Sequence, residues 1–347
     1  MDSSSLYTEF YNFKPDRALS TTKEYSNRVS NLCKELAISN HEELFDADRI
    51  INHLEKKREA KREKTGKDTQ TTLSNIIGAV MEYLILKDCP ESSYRKYQER
   101  KVIADDFYRL QNTKGGLINN QADNFITEKE LLNYCETINQ ECFKNHLLKT
   151  KCRDCQKFHP DVRKIHDLIN LRLILNLLIN HPSRNEYALC EFIKWRDYKK
   201  IPNDQKKNYI VIPSGKPPFI SVTEYKTNHK YGEKVTVITD LTLKRLIRDQ
   251  VKKNGFNAVF IMNNGKKFDP VDLAQLLCRY SQKHLKKNIS STMICKILNM
   301  ELGEKYNESL ENNDIKEAIK VSKELSENAR TRGHSKSVQR DIYLKSV

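Results

Sequence analysis

The chain has 347 residues, of which 38% are hydrophobic, and a formal net charge of +15, so it can build real cores and is long enough that two domains are the better expectation. Nine cysteines scattered from Cys33 to Cys295 suit a reducing compartment and argue against a disulfide framework. The opening MDSSSLYTEF carries no secretory signal, and the most apolar run, Leu168–Leu178, is interrupted by Asn170, Arg172 and Asn176 and is too short to span a bilayer, so a soluble intracellular protein without membrane association is expected.

Residues 1–124 read as an all-α module. Ser20-Thr21-Thr22 with Glu24 offers a cap to a helix carrying Tyr25, Val29, Leu32 and Leu36 on one face. Ala47–Lys57 is a second helix. Thr69–Lys87, with Leu73, Ile76, Ile77, Val80, Tyr83 and Leu84 at helical spacing, is a third, and Ser92–Gln111 a fourth. The glutamates interleaved in Lys56–Lys64 make that basic stretch an exposed helix extension. Asn112–Asn124 joins a glycine pair to polar residues without periodicity and reads as an interdomain linker.

The second domain, 125–347, opens with helices at Thr127–Phe143 and Ile165–Asn180. Short β-rich runs then follow at Tyr209–Ile212, Phe219–Tyr225 and Lys234–Ile238, parted by Pro/Gly turns, which predicts a small antiparallel three-stranded sheet. Helices return at Leu241–Lys253, at Asp269–His284 with Asp269 as cap and Pro270 in the first turn, and at Ser290–Met300 and Asp314–Leu325. The expected fold is mostly α, an N-terminal helical module joined to an α+β domain. Residues 1–124 hold 20 of the 61 Lys+Arg and 20 of the 46 Asp+Glu, so the remaining 41 basic and 26 acidic side chains carry the whole excess. A one-sided excess suits a polyanion such as nucleic acid, through counterion release, although a lysine-rich solvated surface accounts for charge alone equally well.

Three segments carry chemistry. Gly333-His334-Ser335 is followed by Tyr343, nine residues after the histidine. Pro182-Ser183-Arg184-Asn185-Glu186-Tyr187-Ala188-Leu189 follows an apolar helix. Tyr225-Lys226-Thr227-Asn228-His229-Lys230-Tyr231-Gly232 lies between the last two β-rich runs. In this order and setting they resemble the signatures of the tyrosine recombinase (integrase) family, the KT-x-x-x-YG form being like its viral members.

The resemblance implies a helical core-binding domain and a catalytic domain that clamp double-stranded DNA, assembly as a tetramer on it, and strand cutting and rejoining through a 3′-phosphotyrosine. It implies Tyr343 as nucleophile, Arg184 holding the phosphate oxygens through its forked guanidinium, His334 donating a hydrogen bond to them, and Lys226 as general acid to the departing 5′ oxygen. No cofactor is implied, because the phosphotyrosine keeps the energy of the broken bond. Whether the DNA would be met in a host nucleus or a cytoplasmic viral factory is left open.

One box departs from the family. Where His-x-x-Arg is expected, Ile289–Leu298 puts Thr292 at the histidine and Cys295 at the arginine, with Lys296 the nearest cation. A one-residue shift turns a helical side chain by about 100°, which makes Lys296 a poor substitute. The alternative reading is therefore a catalytically inactive DNA-binding relative of the same fold. Cys152-x-x-Cys155-x-x-x-His159, with His166 beyond, has zinc-like spacing, but a single CxxC half-site is a weak signal and no metal is expected.

Overall fold

A computed structural model describes residues 2–66, 68, 70–113, 120–144, 162–225 and 227–332. The chain divides into two compact units, Met1–Lys114 and Gly115–Val347.

The first unit is helical throughout its described residues: α1 (Ser3–Phe13), α2 (Leu19–Glu35), a 3-10 turn at His41–Phe45, α3 (Ala47–Thr65), α4 (Gln70–Leu86) and α5 (Glu91–Thr113). The apolar faces meet in one core through Phe10, Val29, Leu32, Leu44, Ile50, Ile77, Tyr83, Leu84 and Tyr97. Tyr97 is fully buried and donates its hydroxyl to the Leu44 carbonyl at 2.8 Å, which satisfies the polar end of a large ring inside the core. Ion pairs lie outside that core: Arg17 and Lys14 meet Glu82 of α4, Lys87 meets Glu9 of α1, and Arg58 of α3 meets Glu55 of the same helix and Asp68 in the connection to α4. α1 was not expected; its first turn is capped by the Asp2 carboxylate, which accepts from Ser4 N at 3.0 Å. The cap expected at Ser20–Thr22 is not formed, because α2 begins at Leu19 and Ala18 takes the N-cap position. Residues 59–66 at the end of α3 are exposed.

The second unit holds a short helix α6 (Asn120–Asn124), then α7 (Glu128–Lys144), α8 (Val162–Asn180), a 3-10 turn at Asn185–Leu189, β1 (Glu191–Lys194), α9 (Trp195–Tyr198), a 3-10 turn at Asn203–Gln205, β2 (Tyr209–Ile212), β3 (Phe219–Val222), α10 (Asn228–Tyr231), β4 (Lys234–Val237), α11 (Leu241–Asn254), α12 (Pro270–Leu285), α13 (Ser291–Glu311) and α14 (Ile315–Arg332). The fold is mostly α with one small sheet. The sheet has one strand more than the sequence suggests: its order is β1-β2-β3-β4, with β1 parallel to β2 and the other pairs antiparallel. β1 is a four-residue run with charged ends, Glu191-Phe192-Ile193-Lys194, too short to show a period of its own.

Phe192, Ile210, Ile220 and Val222 turn inward from the sheet against α8, α11, α12 and α13, whose Leu171, Ile174, Leu246, Leu276 and Ile294 complete the core. The polar interruptions of the apolar run are tied into the core, although one guanidinium nitrogen of Arg172, Nη1, is buried without a hydrogen-bond partner. Asn170 donates to the Ile261 carbonyl and accepts from Gln250, Arg172 donates to Asn139, and Asn176 donates to the Arg172 carbonyl. α12 starts as its sequence dictates: Asp269 accepts from the backbone of Val271 and Asp272, Asp272 returns a bond to Asp269 N, and Pro270 occupies the first turn. No helix among the described residues is long and apolar enough to cross a membrane.

Candidate functional site

Pro182 stops α8, and the chain turns into the 3-10 helix with Arg184 at its N-cap, φ −78° and ψ −145°. The turn is pinned from both sides. Tyr187, 3% exposed, donates its hydroxyl back to the His181 carbonyl at 2.6 Å, and Ser183 Oγ donates to Glu186 Oε2 at 2.7 Å. Arg184 itself is half-buried, takes no part in capping the turn, and has no ion-pair partner among the described residues. Its backbone therefore sits on a pinned turn, with no carboxylate paired to its guanidinium among the described residues.

Two further segments meet this turn. Ser291 Oγ, in the first turn of α13, donates to Asn185 Oδ1 at 2.8 Å, which sets the second box beside the first. Asn208, fully buried ahead of β2, accepts from the backbone of Thr223 (2.9 Å) and Glu224 (2.8 Å) and donates to the carbonyls of Glu224 (3.1 Å) and Glu186 (3.4 Å). One amide thus joins the arginine turn to the start of the loop between β3 and β4, with its donors and acceptors all used. The sequence marked the boxes but not Asn185, Ser291 or Asn208, which hold them together.

At the second box Thr292 is half-buried, Cys295 has no exposure and Lys296 is 4% exposed. Ser290 Oγ caps α13 by accepting from Met293 N at 3.2 Å. Ser291 meets Asn185, and Cys295 follows it by four residues, about one helical turn. The thiol there is already engaged. Asn299 Nδ2 lies 3.0 Å from Cys295 Sγ and 2.7 Å from its carbonyl oxygen, while Asn299 Oδ1 accepts from Asn328 Nδ2 of α14 at 3.1 Å.

The loop between β3 and β4 is held at its far end by Glu233. Its carboxylate accepts from Ser221 Oγ at 2.6 Å, from the Tyr198 hydroxyl, and from Lys206 Nζ at 3.2 Å. Burial pushes this carboxyl up, but the bonds from Ser221, Tyr198 and Lys206 outweigh it and hold it below the ordinary value. Tyr225 closes the loop on itself by donating to the Gly232 carbonyl at 2.6 Å. Gly232 has φ +66° and ψ −160°, a region open essentially to glycine alone. Lys226, His334 and Tyr343 lie outside the described residues, as do Cys152, Cys155 and His159. Among the described residues no group of three or more His, Cys, Asp or Glu side chains could hold a metal ion, and Cys33, Cys89, Cys135, Cys142, Cys190, Cys278 and Cys295 are free thiols. His166 is buried, and burial lowers its pKa.

No protein-family model matches the chain, and no curated protein matches it. Solved structures do match, among them the crystal structure of XerA recombinase, at 12% identity over 98% of this chain and 93% of that one, with a TM-score of 0.37, too low to bear on fold or function.

Proposed function

We propose that the chain is a DNA strand transferase of the tyrosine-recombinase type, acting on double-stranded DNA through Tyr343, with Arg184, Lys226 and His334 around the reacting phosphate and no cofactor. The observation that carries the reading is the joining of segments far apart in sequence: Asn185 to Ser291 across 106 residues, and Glu186 to the Thr223–Glu224 turn through Asn208. Groups that act on one phosphate must converge, and the bonds joining the arginine turn to the second-box helix and to the base of the loop that bears Lys226 support the reading. A half-buried arginine with no carboxylate partner among the described residues suits a transition state that gathers negative charge on non-bridging oxygens.

A second reading, a DNA-binding relative without catalysis, is favoured by one feature. Position 295 holds a neutral thiol, bonded to Asn299, where the resemblance implies a second guanidinium. Losing one preorganised donor to a transition-state oxygen typically lowers rates about 100- to 1,000-fold. Incubation with a nicked suicide substrate separates the readings. The enzyme gives a covalent protein–DNA adduct that Tyr343→Phe abolishes; tight duplex binding with no adduct at any time means the relative has left catalysis behind. Self-association on DNA, as a tetramer, belongs to the first reading and is tested by the mass of the adduct complex.

A further inference from the structure

The sheet has two faces, and the core uses one. On the other, the strand register lines up Ile193, Val211, Phe219 and Val237 in one row and Glu191, Tyr209, Ser221 and Val235 in the next. α9 covers part of this face, Tyr198 packing with Tyr209, Val211, Ile193 and Phe219. The β4 side is open: Val235 and Val237 are each 53% exposed. Trp195 stands beside that opening, 39% exposed, stacked on Tyr198 (centroids 5.9 Å, planes 23° apart) and edge-on to Phe219 (5.7 Å, 75°). Tyr198 is fixed in turn by edge contacts with Tyr209 and Phe219 and by its hydroxyl bond to Glu233, so the ring array is rigid.

Cations surround the rings. Lys199 Nζ sits 5.4 Å from the Trp195 ring and Lys206 Nζ 4.7 Å from the Tyr198 ring. Lys194, Trp195, Arg196, Lys199, Lys200 and Lys207 are all exposed. Within residues 194–207 there are six basic and two acidic side chains, and Asp197, one of the two, already faces Lys200 at 3.8 Å. A protein partner prefers an interface centre depleted of charge. Lys206 is paired with Glu233 at 3.2 Å, while Arg196, Lys199 and Lys207 have no ion-pair partner among the described residues. Rigid rings beside these three cations match instead a chain that alternates flat π-faces with phosphates.

We propose that this outer sheet face is a stacking platform for single-stranded nucleic acid, with Trp195 receiving a base and Arg196, Lys199 and Lys207 the adjoining phosphates. Duplex DNA keeps its base faces inside its own stack, so the platform selects unpaired strand. It is a second site, separate from the phosphate chemistry assigned to Arg184, and adduct formation through Tyr343 tests the one without touching the other.

Trp195 is the chain's only tryptophan, so its fluorescence reports this site alone. The full chain is titrated with single-stranded oligothymidylate and with a duplex of equal length. The expected result is quenching by the single strand at saturation and little change with duplex. In parallel, anisotropy of a labelled oligothymidylate should show Trp195→Ala weakening single-strand binding about 5- to 100-fold, Trp195→Phe retaining most of it, and both leaving duplex affinity unchanged. Equal quenching by duplex, or single-strand binding without quenching, overturns the proposal. So does a folded Trp195→Ala chain with unaltered single-strand affinity. Should Trp195→Ala fail to fold, Lys199→Glu, at an exposed position, decides: a quenching midpoint that does not move to higher oligonucleotide concentration overturns the platform.

Discussion

At position 295 a thiol without solvent exposure accepts from Asn299, and Asn299 is held in turn by Asn328, so the side chain belongs to the packing of α13 on α14. Replacing it with arginine, the residue the resemblance implies, forces a long cation into a filled space. Overpacking and an unpaired buried charge together should lower the unfolding free energy by about 3 kcal/mol or more, measured by urea denaturation. The site reading makes the opposite demand. If Cys295→Arg is as stable as the parent and forms the Tyr343 adduct faster, the helix face opens onto the phosphate and the buried description fails. Arg184 was legible because an arginine after a proline and an apolar helix forms a local pattern. The bonds that join its turn to other segments were not, because their partners sit 106 and 22 residues away and a single Ser or Asn carries no period.

The loop from Glu224 to Glu233 shows what a motif encodes when its residues are given conformations. Asn208 fixes its first residues, Glu233 its last, and Tyr225 reaches across to the Gly232 carbonyl. A Cβ at Gly232 would meet nothing within 4 Å, so the requirement for glycine is one of backbone and not of space. Gly232→Ala should therefore cost about 1–3 kcal/mol in that loop, seen as faster hydrogen exchange across Val222–Val237 with little change in the helices. Unchanged exchange would show that the loop does not use this conformation in solution. Helices were the readable elements, since an apolar stripe such as that of α4 repeats over several turns, and the caps of α12 and α13 mark their own starts. β1 and α1 escaped for opposite reasons. β1 is too short to alternate visibly, and α1 has a capping aspartate but only Leu6 and Phe10 on its buried face.

Across the whole molecule the charge is divided as the chain is. In the first unit Lys14, Arg17, Arg58, Lys87, Lys96 and Arg100 each meet a carboxylate. Residues 125–347 hold 41 basic and 26 acidic side chains, and there Arg184, Lys199 and Lys207 lack such partners among the described residues. Free cations, more than total charge, are what release counterions from a phosphate backbone. Duplex affinity should therefore fall steeply with salt, with a log–log slope of about −4 or steeper if five or so phosphates are contacted at about −0.9 each. Arg184→Ala should make the slope shallower by about one. Arg17→Ala should leave the slope alone and instead lower the stability of the first unit, where Arg17 holds Glu82 at 2.7 Å with Lys14 on the same carboxylate. A slope near zero between low and physiological salt would mean that the excess serves solubility, and a shallower slope in Arg17→Ala would place DNA against a cation already paired with Glu82.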